Sequence, residues 1–308
     1  MSSRTTGTHF QGPLLGNADS ARGLFDDAAL ATVDAVRSPY QLQVEDFDYP
    51  FADGELAASG WTLTNIGSAS SPTEVVDAAT GYLLLNPGDG DDDGSQIAYN
   101  TAPTGADTAV PELKLLGPIT STATLMDSRE MIMYFRVGFS TGGDSAGWAA
   151  KACFGWIEST DTALMNPADG ELTIAAGGGT GFHVAEDGTL GVFSTNAAVT
   201  SSTDTGVNVA TDIAAVDNAA NTFVWYTLGF RTRWIDASAG TGKTDFYVNG
   251  RKSATITDTM PMDSTEAYAI TFEYLNGAAG YNMDMAVDYI VSGLTRPGLT
   301  YPYSTGNY

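Results

Sequence analysis

The chain holds one cysteine, two histidines and thirteen basic residues in 308 positions. Each shortage removes a class of chemistry. With Cys153 alone, no intrachain disulfide can form and no multi-cysteine zinc site can be built. Cys153 lies in the apolar run 152–156, where a free thiol is expected to be buried and inert. His9 falls in a polar N-terminal stretch and His183 in a strand-like one. No Gly-x-Ser-x-Gly elbow accompanies either, so nucleophilic catalysis has no frame, and His183 is expected to be a strand residue satisfied by a neighbour. Thirteen Lys and Arg stand against 37 Asp and Glu, a formal net charge of −24. Such a chain lacks the basic footprint that a nucleic acid or an anionic membrane surface requires. No apolar run reaches transmembrane length and no leader pattern opens the chain. Together with the missing disulfides, this predicts folding in a reducing cytosol.

What is abundant points to β-structure. Charged residues are 16% and glycine numbers 35, and Ser, Thr, Ala and Asp are frequent, a composition suited to strands and turns. Residues 244–256 give the clearest local signal. Asp245, Tyr247 and Asn249 alternate with Phe246 and Val248, and Asn249-Gly250 supplies the two positive-φ residues of a tight hairpin turn. Residues 130–139 alternate as strongly, with Met131, Met133, Phe135, Val137 and Phe139 on one face. Further strands are expected near 42–45, 59–63, 74–76, 82–85, 95–100, 151–157, 181–185, 191–194, 222–234, 267–274 and 283–291. Helical periodicity is nearly absent. Residues 26–36 fit either a short helix capped by Asp26 or Asp27 or an alternating strand. The spacing predicts a sandwich of two antiparallel sheets over 41–292. A Gly-rich arm at 1–40 and a tail at 293–308 flank it. The arm, and a tail carrying Tyr301, Tyr303 and Tyr308, are expected to lie on the domain or on a neighbouring subunit.

The order of segments carries a resemblance. Residues 77–100 are followed by 130–139, then Phe154-Gly155-Trp156-Ile157-Glu158-Ser159-Thr160-Asp161-Thr162, Gly181-Phe182-His183 and Asp204-Thr205-Gly206-Val207. Residues 222–231, the Tyr247-Val248-Asn249-Gly250 turn and Val287-Asp288-Tyr289-Ile290 complete it. Over residues 45–292 this order resembles the concanavalin-A-like (laminin-G-like) jelly-roll domains in structural proteins of tailed phages. The resemblance implies a virion role without catalysis or cofactor: a decoration protein on the outer capsid surface. It also implies the major capsid protein as partner and a homo-oligomer, a trimer or dimer. The alternative is a carbohydrate-binding module of a tail or fibre, with a glycan as ligand.

Motifs for other chemistry are incomplete. Asp89, Asp91 and Asp93 match the first half of a calcium loop, but Asn100 stands where a bidentate Glu is needed, so they form only a weak metal candidate. Glycosidases of this architecture place acids in a Glu-x-Asp-x-Glu arrangement. Neither Glu45-Asp46-Phe47-Asp48 nor Asp284 with Asp288 fits it, and the last two are expected on a polar strand face opposite Met285, Val287 and Tyr289. The glycine runs at 177–181 and 240–244 lack the phosphate-loop pattern and read as turns. Of the five tryptophans, most are expected in the core.

Overall fold

The computed structural model describes residues between Tyr40 and Thr295; residues 1–39, 296–308 and several connecting loops lie outside the described residues. Residues 1–39 of the expected arm, with the segment 26–36 and His9, and the tail tyrosines fall in that remainder, whereas Tyr40 opens the first strand. Sixteen strands and one short helix are described. In chain order the strands are β1 (Tyr40–Asp46), β2 (Trp61–Ile66), β3 (Thr73–Asp77), β4 (Tyr82–Asn86), β5 (Gly94–Tyr99) and β6 (Ile119–Thr120). Then come β7 (Glu130–Ser140), β8 (Ala150–Glu158), β9 (Gly179–Val184), β10 (Thr189–Asn196) and β11 (Val199–Asn208). Helix α1 (Val209–Ala214) precedes β12 (Val224–Asp236), β13 (Thr241–Val248), β14 (Arg251–Thr257), β15 (Ala267–Asn276) and β16 (Asp284–Thr295).

These strands form two eight-stranded antiparallel sheets. The first runs β14-β13-β12-β7-β16-β4-β3, with β1 also paired to β16. The second runs β11-β10-β9-β8-β15-β5-β2, with β6 beside β15. Their inner faces meet in one core, and the fold is a concanavalin-A-like jelly-roll sandwich. Period-two alternation builds it. From β7, Met131, Met133, Phe135, Val137 and Phe139 all join the core. Phe135 sits at its centre, with its ring edge-on to Phe154, Phe182 and Phe272 of the opposite sheet. Such edge contacts each add about 0.5–1.5 kcal/mol beyond burial. Trp61, Trp156 and Trp234 are core residues as well.

The hairpin forms as its sequence requires. Asn249 has φ 48° and Gly250 φ 76°, the pair of left-handed residues of a tight I′ turn. Other elements differ from expectation. Gly179, read as part of a turn, lies within β9, which begins two residues before the strand expected at 181–185. A Cβ at Gly181 would overlap the Phe154 carbonyl oxygen, so the glycine permits β8 and β9 to pair. Likewise Thr241–Thr244 belongs to β13. The polar segment Val199–Asn208 is an edge strand, and α1 comes directly after it. Asn208 caps that helix, its Oδ1 accepting the Thr211 N–H at 2.9 Å. Strand β16 continues through Thr295, three residues into the expected tail, because Gly293, Leu294 and Thr295 pair with β1.

A register shift between Val287 and Tyr289 marks a bulge in β16. The bulge reverses the inside–outside parity of the residues beyond it. Tyr289, expected opposite the aspartates, instead lies beside Tyr134 on the outer face of the first sheet, with ring centroids 5.9 Å apart. Asp284 is buried and is no part of a solvated polar face.

Candidate functional site

The two outer faces of the sandwich hold the remaining chemistry. On the first sheet, the even positions of β7 and the odd positions of β12 and β13 point away from the core. Trp225 pairs with Gly138, and a Cβ there would come within 2.9–3.0 Å of the indole. The glycine therefore allows the ring to lie over the strand. Tyr82 and Phe223 complete a half-buried aromatic triad, with centroid separations of 5.5–5.8 Å. The Arg136 guanidinium carbon lies 4.5 Å from the Trp225 centroid, and its Nη1 contacts Asp288 Oδ2 at 2.5 Å. Next to them, Tyr134 and Tyr289 stack. Burial raises the pKa of both phenols, which stay protonated.

Further along the same face, charges cluster. Glu130 accepts from both Arg231, at 2.7 Å, and Arg233. Asp245 accepts from Lys252 at 2.6 Å and Lys243 at 3.1 Å, and from the Thr255 hydroxyl at 2.7 Å. Burial alone would raise the Asp245 pKa, but the bonds from Lys252, Thr255 and Lys243 hold it below the usual value. Arg231 pairs across the sheet with Asp245, and Arg233 with Lys243, so the two clusters are contiguous.

The outer face of the second sheet is closed. Cys153, Ile157, Phe193 and Leu275 form a satellite core with Leu164 and Met165. Glu273 is fully buried there. Its Oε2 accepts from the Leu164 N–H at 2.8 Å and from Gln96 Nε2 at 3.1 Å, and its Oε1 accepts from the Met165 N–H at 2.8 Å. One buried carboxylate thus fastens a strap of chain over the sheet. Register places Gln96, Glu273, Cys153 and His183 in one row across β5, β15, β8 and β9. The His183 ring occupies the space left by Gly191, and its Nδ1 has no hydrogen-bond partner. It is thus not satisfied by a neighbour as the sequence suggested. Burial lowers its pKa, with Asp204 opposing the shift.

The remaining sequence candidates are dispersed. Asp91 is exposed in a turn; Asp93 is buried, with its carboxylate folded over Gly90 and its carbonyl accepting from Asn276 N at 2.9 Å. Asp89 lies outside the described residues. Among the described residues, no group of three His, Cys, Asp or Glu is placed to hold a metal. No described helix is long and apolar enough to cross a membrane. The aromatic triad and the buried latch were missed in the sequence. Trp225 opposite a glycine is visible only once β7 and β12 are known to pair, and Glu273 is 109 residues from Leu164.

No protein-family model matches the chain, and no curated protein matches its sequence. Solved structures similar to it include an endo-1,3-β-glucanase from Streptomyces sioyaensis. That match has 11% identity and a TM-score of 0.44 and covers 84% of this chain and 98% of that one. The carbohydrate recognition domain of Emp46p in its potassium-bound form matches with 11% identity and a TM-score of 0.42, over 79% of this chain and 92% of that one. A protein of unknown function from Shewanella oneidensis MR-1 matches with 13% identity and a TM-score of 0.42, over 85% and 89%.

Proposed function

We propose that this chain is a non-catalytic structural protein of a virion, decorating the outer surface of a tailed-phage head as a homo-oligomer bound to the major capsid protein. The resemblance in segment order suggests this role. The observation that supports it is the use of Glu273, the fully buried carboxylate of the second sheet. Its oxygens are engaged by the Leu164 and Met165 amides and by Gln96, so it serves architecture and not acid–base chemistry. The net charge of −24 suits an exterior position, away from packaged nucleic acid. The test uses capsids lacking the protein. Full-length chain added to them gives regular extra density by cryo-electron microscopy, and a variant without residues 1–40 keeps its β circular dichroism but does not bind. Capsids left bare by the full-length chain overturn the reading; normal decoration by the truncated chain overturns the role of the arm.

A second reading, a glycan-binding adhesion module, is favoured by one observation: the half-buried Tyr82–Phe223–Trp225 triad beside the Arg136–Asp288 pair. Flat rings next to a fixed donor–acceptor pair suit the apolar face and hydroxyls of a sugar. A glycan screen with and without calcium tests it. Saturable binding that Trp225→Ala reduces at least about tenfold, a loss of about 1.4 kcal/mol, supports it; a blank screen removes it.

A further inference from the structure

We propose that Asn249 is a site of spontaneous, backbone-assisted deamidation, and that the fold confines the reaction to this residue. The dipeptide Asn-Gly occurs twice in the chain, at Asn249-Gly250 and Asn276-Gly277. In each, the glycine nitrogen is the nucleophile, because no Cβ shields it. It attacks the side-chain carbonyl carbon, Cγ, of the preceding Asn. A new C–N bond forms, the Cγ–Nδ2 bond breaks, and ammonia leaves with the proton of the glycine amide. One water molecule then opens the succinimide ring at either carbonyl, giving aspartate or isoaspartate. Solvent is the only co-reactant, and no oxidant or reductant is needed.

The two sites differ in every group that takes part. Asn276 ends β15 and is fully buried. Its main-chain N–H donates to the Asp93 carbonyl at 2.9 Å, and its Nδ2 donates to the Gly90 carbonyl at 3.2 Å. The nucleophile is tied as well, since the Gly277 N–H donates to the Ala149 carbonyl. Asn249, by contrast, is exposed at the tip of the β13–β14 hairpin. Its Oδ1 accepts the Thr227 N–H at 2.9 Å, and its own N–H donates to the Thr227 carbonyl at 2.7 Å. The first of these bonds holds the carboxamide and polarises its C=O. A backbone donor on that oxygen also stabilises the negative charge that develops there when Cγ is attacked, the role of an oxyanion hole. Ring closure requires the Asn249–Gly250 peptide to rotate out of the tight turn. Two features ease that rotation. Gly250, at φ 76°, tolerates nearly any backbone angle, and β14 is the edge strand of its sheet, paired with β13 alone among the described strands. The isoaspartate product carries an extra main-chain carbon in a two-residue turn. Arg251 can then no longer face Val248, nor Lys252 face Tyr247, and the edge of the first sheet loosens with age. The inference depends on neither reading of the proposed function.

The experiment incubates the full-length chain at mildly alkaline pH in heavy-oxygen water and follows each site by peptide mass spectrometry. In the folded chain, the peptide containing Asn249 gains a labelled carboxylate, divided between aspartate and isoaspartate. It does so at least about tenfold faster than the peptide containing Asn276, because only the hairpin tip opens locally. In concentrated urea the Asn276 reaction accelerates until the two rates agree within about twofold. Gly250→Ala slows the reaction at Asn249, since its methyl group crowds the attacking nitrogen. Where that variant unfolds the chain, the ratio of the two sites in wild type still decides. Hydrogen exchange at Arg251 and Lys252 rises in the aged sample. Labelling of Asn276 as fast as Asn249 in the folded chain, labelling of Asn249 in urea alone, or a folded Gly250→Ala chain reacting at the wild-type rate would each overturn the inference. Unchanged exchange at Arg251 and Lys252 after conversion to isoaspartate would overturn the loosening of the edge.

Discussion

The outer face of the second sheet and the outer face of the first differ in how completely they are covered. Each is the solvent side of a strand layer whose other side is core. The second is roofed by its own chain, with Leu164 and Met165 fully buried and held by Glu273. The first has Ile132, Tyr134 and Tyr289 buried on its outer side, and leaves only the Tyr82–Phe223–Trp225 triad and cations such as Arg136, Arg233 and Lys252 partly exposed. A fully buried strap contributes more stability than side chains left partly exposed. Substitutions should therefore cost more folding stability at the strap than at the partly exposed side chains.

The largest expected effect is at the latch. Glu273→Ala leaves two backbone N–H groups and the Gln96 amide without their acceptor, and should lower unfolding free energy by about 3 kcal/mol or more in urea titration. Hydrogen exchange at Leu164 and Met165 should accelerate more than at Phe135. Leu164→Ala should cost about 2–4 kcal/mol, whereas Trp225→Ala in the partly exposed triad should cost about 1 kcal/mol. Equal losses at the two sites would end the contrast. Gly181→Ala should cost about 1–3 kcal/mol, since its methyl group has only the Phe154 carbonyl to enter.

The smallest effect is in pH. His183 titrates below its unfolded value of 6.5 because burial disfavours the cation. As pH falls, the unfolded chain takes the proton first. The stability due to neutral His183 is complete above pH 6.5 and declines below it, until the folded residue titrates too. Asp245, with a lowered pKa, acts at more acid pH: its contribution is present above the unfolded value of 3.8 and is lost as pH falls through the folded one. In thermal melts, His183→Gln should flatten the stability profile just below pH 6.5 and leave the Asp245 step unchanged.

How much of the fold and of its surfaces is legible in the sequence depends on the range of each interaction. The hairpin at Asn249-Gly250 and the alternation of β7 are local, and both stand as the sequence indicates. Strand β11 is not legible, because as an edge strand its Ser, Thr and Asp residues need no apolar alternation. Helix α1, at six residues, is too short to show a period. The bulge at Asp288 inserts one residue where composition gives no sign, and it alone moves Tyr289 beside Tyr134. The candidate surfaces depend on β7 lying between β12 and β16, a long-range choice that no local pattern encodes.

Cys153, the sole thiol, is buried in the cluster that includes Leu164 and Met165. A thiol reagent can reach it only when that cluster parts. Its labelling rate is therefore a built-in clock for the strap, read at one atom without any engineered probe. Run on wild type and on Glu273→Ala, that clock separates opening of the strap from unfolding of the sandwich beneath it.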